Sequence, residues 1–531
     1  MIGVIADSAE QDVISEFFEL FKTPWEFYRS DRRYDVLLCA QDSWFDDNTK
    51  IVLLYRGRKT QLDHEQKIPI GSERKDARVA TDQGNRIPIY GDSITFLQNE
   101  GCLLRDESSK ECLAYVAYSC NRALARIGYD LFREVRSLLT AGQPATNAHI
   151  PTIELHIEFL RELIARCGGS VVEIPPIPEG YKFTVCLTHD VDHPFVRCHR
   201  WDHTVFGFLC RAVFGSAWKF ARGRMNFRDL LTNWAAALKL PFVHLGLAED
   251  FWGRFDACYL AVEKGLHSTF FVIPFKNRPG KNRKGRAPKH RAARYAAHEI
   301  SHAITRLTEA GCEVGLHGID AWLDPSNARE ELAEIRRLTG NSDIGARMHW
   351  LYYDRKSSTT LEEAGAAYDS TIGYNETVGY RAGTTQVYKP LEANRLLELP
   401  LHAMDTALFY PAHLGLSQDE AEVRLEQMVE NAARFGGCLT INWHDRSLAP
   451  ERLWGQCYQR LLQNLKDRDA WFATAGQAVS WFRKRRSAAF ELGANGSEKV
   501  RLGGAVDTEE HLPGLQLRIH EAHGLQPNMI L

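Results

Sequence analysis

Residues 183–193 read Phe-Thr-Val-Cys-Leu-Thr-His-Asp-Val-Asp-His. The apolar run Phe183–Thr188 has the continuous character of a strand buried on both faces. It passes directly into Thr188-His189-Asp190-Val191-Asp192-His193, with two carboxylates and two imidazoles at its tip. Two later segments repeat the plan. Cys312–Leu316 runs into His317-Gly318-Ile319-Asp320, and Cys438–Trp443 runs into His444-Asp445. In a parallel α/β barrel the carboxyl ends of the strands form the site, so the three tips are expected to meet.

The surrounding pattern supports that architecture. Ser268–Ile273 (STFFVI) predicts another strand. His298–Ala310 predicts an amphipathic helix stopped by Gly311, with Ile300, Ile304 and Leu307 on one face. Ser326–Thr339 predicts a helix capped by Ser326 and ended by Gly340. Trp471–Ala473 and a helix over Thr474–Arg486 close the unit. Repeated strand–helix units predict a distorted (β/α) barrel over residues 181–486.

Ahead of it, residues 1–145 predict a smaller α/β domain. Ile2–Ala6, Tyr34–Ala40 and Ile51–Tyr55 are its strand candidates, Ser8–Lys22 is a helix, and Cys112–Leu139 reads as mostly helical. It contains no Gly-rich phosphate loop. Residues 146–180 form a helical linker, with a helix over Ile153–Cys167 and the stiff Pro-rich entry Ile174–Gly180. The tail, 487–531, is polar at first and then alternates over Leu515–Ile519, as a small β element or a partly disordered end.

Asp and His together suit zinc or a similar divalent ion. Such an ion polarises a carbonyl and activates water. A second carboxylate can take the water proton, and an imidazole opposite can protonate a leaving amine or alcohol. Thr-His-Asp-Val-Asp, Ser-Thr-Phe-Phe-Val, Glu-Val-Gly-Leu-His, Gly-Ala-Arg347-Met-His349 and Ile441-Asn-Trp-His444 follow one another in order. In this the chain resembles the polysaccharide deacetylases (carbohydrate esterase family four, the nodulation-protein homology domain), as a variant subgroup with an extra N-terminal domain.

The resemblance covers residues 181–486 and implies the following roles. Asp190 is the general base, Arg347 pairs with it and holds it ionised, and His444 is the general acid. Asp192 and His317 bind one divalent ion, zinc by preference. The family's third ligand falls at position 321, which is Ala here; Asp320 is the expected substitute, with His193 and His349 as further candidates. His349, Arg381 and Trp443 are expected to face substrate, and Arg381 is equally open to a structural salt bridge. The loops Tyr368–Thr371 and Gly379–Thr384 are expected near the site.

The net charge of -3 implies no nucleic-acid partner. The start, MIGVIADSAEQD, lacks the features of a signal peptide, and no stretch approaches a membrane span, so the expected location is cytoplasmic. Twelve cysteines without a CxxC pair are expected to be free thiols, with Cys39, Cys186, Cys312 and Cys438 in apolar runs. Residues 195–244 form an insertion rich in Trp201, Phe206, Phe208, Phe214, Trp218, Phe220 and Trp234 with interleaved basic residues. It reads as a helical cover, a lid or a peripheral membrane contact. Lys276–Arg294 holds nine Lys or Arg and no acid, a mobile loop that is either merely solvated or able to steer an anionic glycan. The substrate is a carbohydrate or a small amide. Three functions stay in play: a deacetylase acting on an amino sugar, a hydrolase of small cyclic or linear amides, and a catalytically silent glycan-binding module, for which Ala321 is the motive.

Overall fold

Phe183–Val191 forms a nine-residue strand, β1, buried along its whole length. The structure, a computed structural model, describes residues 1–42, 49–82, 84–119, 122–200, 202–223, 225–492, 498–502 and 512–522. Around β1 stand β2 (Thr269–Val272), β3 (Glu313–Gly318), β4 (Ala346–Met348), β5 (Ala403–Met404), β6 (Cys438–Asn442) and β7 (Ala470–Phe472). Their order is β4-β3-β2-β1-β6-β5, with β7 also paired to β1, and every pairing is parallel. Single bridges Ala346↔Asp369 and Asp369↔Glu398 carry the ladder on beyond β4. The sheet therefore curls as a parallel half-barrel, compatible with a distorted barrel.

Register decides which tips meet. Thr188 lies opposite Asn442 and His317 opposite Arg347. The apolar runs bury because helices cover the sheet, as parallel strands require. The expected helices are present, with one change of cap. Over Pro325–Thr339 the cap is Asp324, whose carboxylate accepts the N–H groups of Ser326 and Asn327, so Ser326 lies inside the helix. Asp preceding Pro at the first helical position is the stronger start signal.

This unit comprises Gly180–Gly379 and Glu392–Ser480. Its insertion folds as α1 (His203–Leu209), a π-helical turn (Cys210–Gly215), α2 (Ser216–Ala221) and α3 (Phe227–His244). Asp202 and Asn226 cap α1 and α3. Val205, Phe208, Ala236, Leu240 and Val243 pack inward with Trp252. Trp201, one of the aromatics of the insertion, lies outside the described residues.

The other unit comprises Met1–Glu179, Tyr380–Leu391 and Trp481–Leu531. Its eleven-stranded sheet is parallel from Trp25–Phe27 through Ile2–Ile5, Val36–Cys39 and Ile51–Tyr55 to Arg122–Ile127, and antiparallel beyond. This corrects the helical reading of Cys112–Leu139. Cys112–Ser119 and Arg122–Ile127 are an antiparallel pair, and only Leu131–Thr140 is helical. Alanine-rich spacing imitates a helix there, but Tyr115, Val116 and Ile127 bury within the sheet, and tertiary packing overrides local propensity. The ion pair Arg126–Asp63, 3.0 Å and fully buried, ties the last parallel strand to the short helix Gln61–Glu65. In the tail, Arg518–His520 pairs with Val171–Glu173. The eleven cysteines among the described residues are free, and Cys39, Cys186, Cys312 and Cys438 are buried.

Candidate metal centre and active site

Asp190 sits near the end of β1, buried, between two clamps. Arg347 Nη1 donates to its Oδ1 at 3.0 Å, and Asn442 Nδ2 donates to its Oδ2 at 2.9 Å. Arg347 is itself fixed at every nitrogen. Nη1 also donates to Thr188 Oγ1 at 2.7 Å, Nε to Ser370 O at 3.0 Å and Nη2 to Ser370 Oγ at 2.8 Å. Its guanidinium lies 4.5 Å from the Phe271 ring centre. A fully buried arginine thus joins β1, β4 and the Tyr368–Thr371 loop.

Two residues further, Asp192 faces two imidazoles. His317 Nε2 stands 3.3 Å and His349 Nε2 3.6 Å from Asp192 Oδ1. Ligand atoms about 2.1 Å from a tetrahedral zinc stand about 3.4 Å from one another, so this spacing fits a small divalent ion. One atom from each of the three residues lies within 4.8 Å of the others. Asp192 Oδ1 is buried and receives no aligned hydrogen bond. The Nδ1 side of His317 meets Arg347 O at 3.1 Å, which presents Nε2 to the cluster. Burial works against ionising Asp192, but His349, His317 and His444 outweigh it and hold the carboxyl well below the usual range. Burial pushes His349 well below its ordinary value, leaving it the neutral imidazole that metal ligation needs.

On the other side stands His444. Its Nδ1 lies 2.6 Å from Asp405 Oδ1, and its backbone N–H donates to Asp405 Oδ2 at 2.8 Å. Its Nε2 lies 3.8 Å from Asp192 Oδ2. Burial disfavours the imidazolium, yet the Asp405 carboxylate outweighs burial and lifts His444 to about 10. Nothing in the sequence singled out Asp405, which follows a two-residue strand too short to show a period. Asn442 was missed for the same kind of reason, as one polar residue inside an apolar run.

Asp320 stands outside the three-residue set. Its Oδ1 accepts the Lys281 N–H at 2.8 Å, and its own N–H donates to Glu331. The turn after β3 points it toward the basic loop, and the group that could hold an ion includes His349 and not Asp320. Trp443 is fully buried against Phe409 and Tyr458, behind the pocket wall. Arg381 belongs to the other compact unit. His193 lines the pocket, its Nδ1 3.1 Å from His199 Nε2.

The backbone directly after His349 is forced. Trp350 and Leu351, directly after His349, have φ of 65° and 53°, a region costly for side chains of this size. Arg291 braces the turn. Its Nη2 donates to His349 O at 2.8 Å and to Ile319 O at 3.0 Å, so this one of the nine basic residues of Lys276–Arg294 is buried and structural. Asp190, Asp192, His317, His349, Trp350, His444 and a group of arginines line one pocket of about 400 Å³.

No family model matches the chain, and no curated protein matches it. Solved structures do. A protein from Mycobacterium smegmatis assigned by name to the polysaccharide deacetylases is 19% identical, over 58% of this chain and 94% of its own, at TM-score 0.36. PuuE allantoinase is 16% identical over 58% and 92%, at TM-score 0.35. A family 4 carbohydrate esterase from Streptomyces lividans is 12% identical over 55% and 91%, at TM-score 0.23. The chemistry of the site rests on the geometry above.

A three-residue group that could hold an ion predicts a metal-binding outcome. Chelated protein titrated with zinc should take up one ion per chain. Since loss of a supporting group typically costs ~10–100-fold in affinity, loss of the ligand in His349→Ala should cost at least about 100-fold. Asp320→Ala should bind as the parent does. The reverse ranking, measured by metal analysis after dialysis, would overturn the set.

Proposed function

We propose that the unit made of Gly180–Gly379 and Glu392–Ser480 is a metal-dependent hydrolase that removes an acyl group, an N-acetyl group in the first instance, from an amino sugar or glycan. The observation that carries this reading is the placement of the Asp192–His317–His349 set between a clamped carboxylate and a carboxylate-backed imidazole. These three residues would hold one divalent ion. One carboxylate and two imidazoles suit zinc, which when bound supplies Lewis acidity toward a carbonyl oxygen.

The remaining chemistry belongs to the chain. Asp190 accepts a proton from the attacking water, and Arg347 and Asn442 fix the direction of its oxygens. His444 donates a proton to the amine as the carbon–nitrogen bond breaks, giving a carboxylic acid and a free amine. Asp405 keeps that proton on His444 through neutral pH. The pocket volume of about 400 Å³ also favours a second reading, a hydrolase of small amides. Acetyl release from amino sugars, assayed beside ring-opening of cyclic amides, separates the two.

Asp190→Asn should abolish most turnover while zinc content stays at the parent level; unchanged turnover would refute the base. For pH, the folded-state pKa of His444 is raised, so its proton is present at neutral pH and lost only as pH climbs toward about 10. Asp405→Asn removes the charge that raises it. The alkaline limb of kcat/KM should then move to lower pH by about one unit or more. An unmoved limb would show that His444 is not the acid.

A further inference from the structure

Three arginines share the pocket with the proposed metal ligands: Arg211, Arg446 and Arg452. Arg211 comes from the π-helical turn, a distortion often found at functional sites. Arg452 is buried, 5% exposed, and its Nε and Nη1 have no hydrogen-bond partner; Arg211 Nε is likewise without one. Arg446 Nη2 donates to Tyr410 Oη at 3.3 Å. Arg452 lies 5.3 Å from the Tyr410 ring centre and 4.9 Å from that of Trp454. Among the described residues none of the three forms an ion pair. The nearby Glu451 instead accepts the Trp252 Nε1–H at 2.9 Å. Burial would raise the Tyr410 phenol, but Arg452 and Arg446 outweigh it and bring it to about 7.

Leaving buried guanidinium donors unpaired is costly unless something completes them. Their planar forks match a phosphoryl group, and three positive charges exceed what one carboxylate needs. Resting on the hydrolase reading above, we propose that Arg211, Arg446 and Arg452 form an anion subsite for a phosphoryl group carried by the amide substrate. The same chemistry is offered by a sugar phosphate, a nucleoside diphosphate or a phosphorylated lipid headgroup.

The test is calorimetry on the full chain after metal has been stripped, so that phosphate cannot report on the metal ligands. Inorganic pyrophosphate should bind, and Arg452→Met and Arg211→Met should each weaken it by about tenfold or more. Arg211 is only half-buried, so its variant keeps the question open to refutation if Arg452→Met fails to fold. Asp192→Asn should leave pyrophosphate binding intact, which separates this subsite from the metal reading. Absence of binding, equal binding by the variants, or preference for citrate over pyrophosphate would overturn the subsite. Comparing a nucleoside diphosphate with detergent-dispersed phosphatidate identifies the source.

A different observation carries a second inference. Eleven of the seventeen exposed large apolar side chains among the described residues fall between Phe206 and Leu247. On α3, Phe227, Leu231, Trp234, Leu238 and Phe242 form one exposed stripe, while Ala236, Leu240 and Val243 bury on the opposite side. Apart from Arg211, which lines the pocket, residues 203–247 contain five Lys or Arg and a single acid, Asp229. No helix of the described chain is long and apolar enough to cross a membrane. Aromatic and aliphatic side chains flanked by cations, almost free of acids, complement an anionic lipid surface. We infer that this face lies on such a surface.

Vesicles of phosphatidylcholine with phosphatidylglycerol should sediment the protein, and phosphatidylcholine alone should do so far less. The double variant Phe214→Glu with Leu238→Glu should stay in solution. Failure to sediment, equal sedimentation by the variant, or a dimer that the variant abolishes without any vesicle binding would overturn it.

Discussion

The guanidinium of Arg347 is the constraint on which the site turns. Fully buried, it spends its hydrogen bonds on Asp190, Thr188 and both the carbonyl and hydroxyl of Ser370. Those partners come from β1 and from the loop after β4, so a single side chain sets their separation. The Arg347 carbonyl also meets His317 Nδ1, and one residue therefore orients the proposed base and one proposed ligand together. Removing it would leave the Asp190 carboxylate half-clamped in a dry interior, the costly half of breaking a buried pair.

Much of this was legible in the sequence because buried parallel strands announce themselves twice. They show an apolar run, and a polar tip where the run ends. Asp190, Asp192, His317 and His444 lie at such tips and line one pocket, with Arg347 buried behind Asp190. The third candidate ligand was ambiguous. His349 follows a three-residue strand, while Asp320 lies near His317 along the chain, and only the turn after β3 decides between them. That turn gives Asp320 to the Lys281 N–H. Asp405 was hidden by a strand of two residues. In the other unit, Ala114, Ala117, Ala123 and Ala125 made an antiparallel pair look helical, and its parallel partner Ile51–Tyr55 is far away in sequence.

The insertion joins two features that would otherwise look unrelated. The π-helical turn that carries Arg211 into the pocket also carries Phe214, 74% exposed, on its outer side. An extra residue per turn rotates the helix face locally, so a short stretch can serve a polar interior and an apolar exterior at once.

Trp350 and Leu351 occupy left-handed backbone at a cost of about 1–2 kcal/mol each. Such a bend persists only while its surroundings hold it, and Arg291, far away along the chain, does part of that holding through the His349 carbonyl. Because the brace acts from outside the segment, a change of length between Gly345 and Tyr352 would move His349 away from Asp192, whereas a change of side chain there would leave the path of the backbone to the Arg291 contact in place.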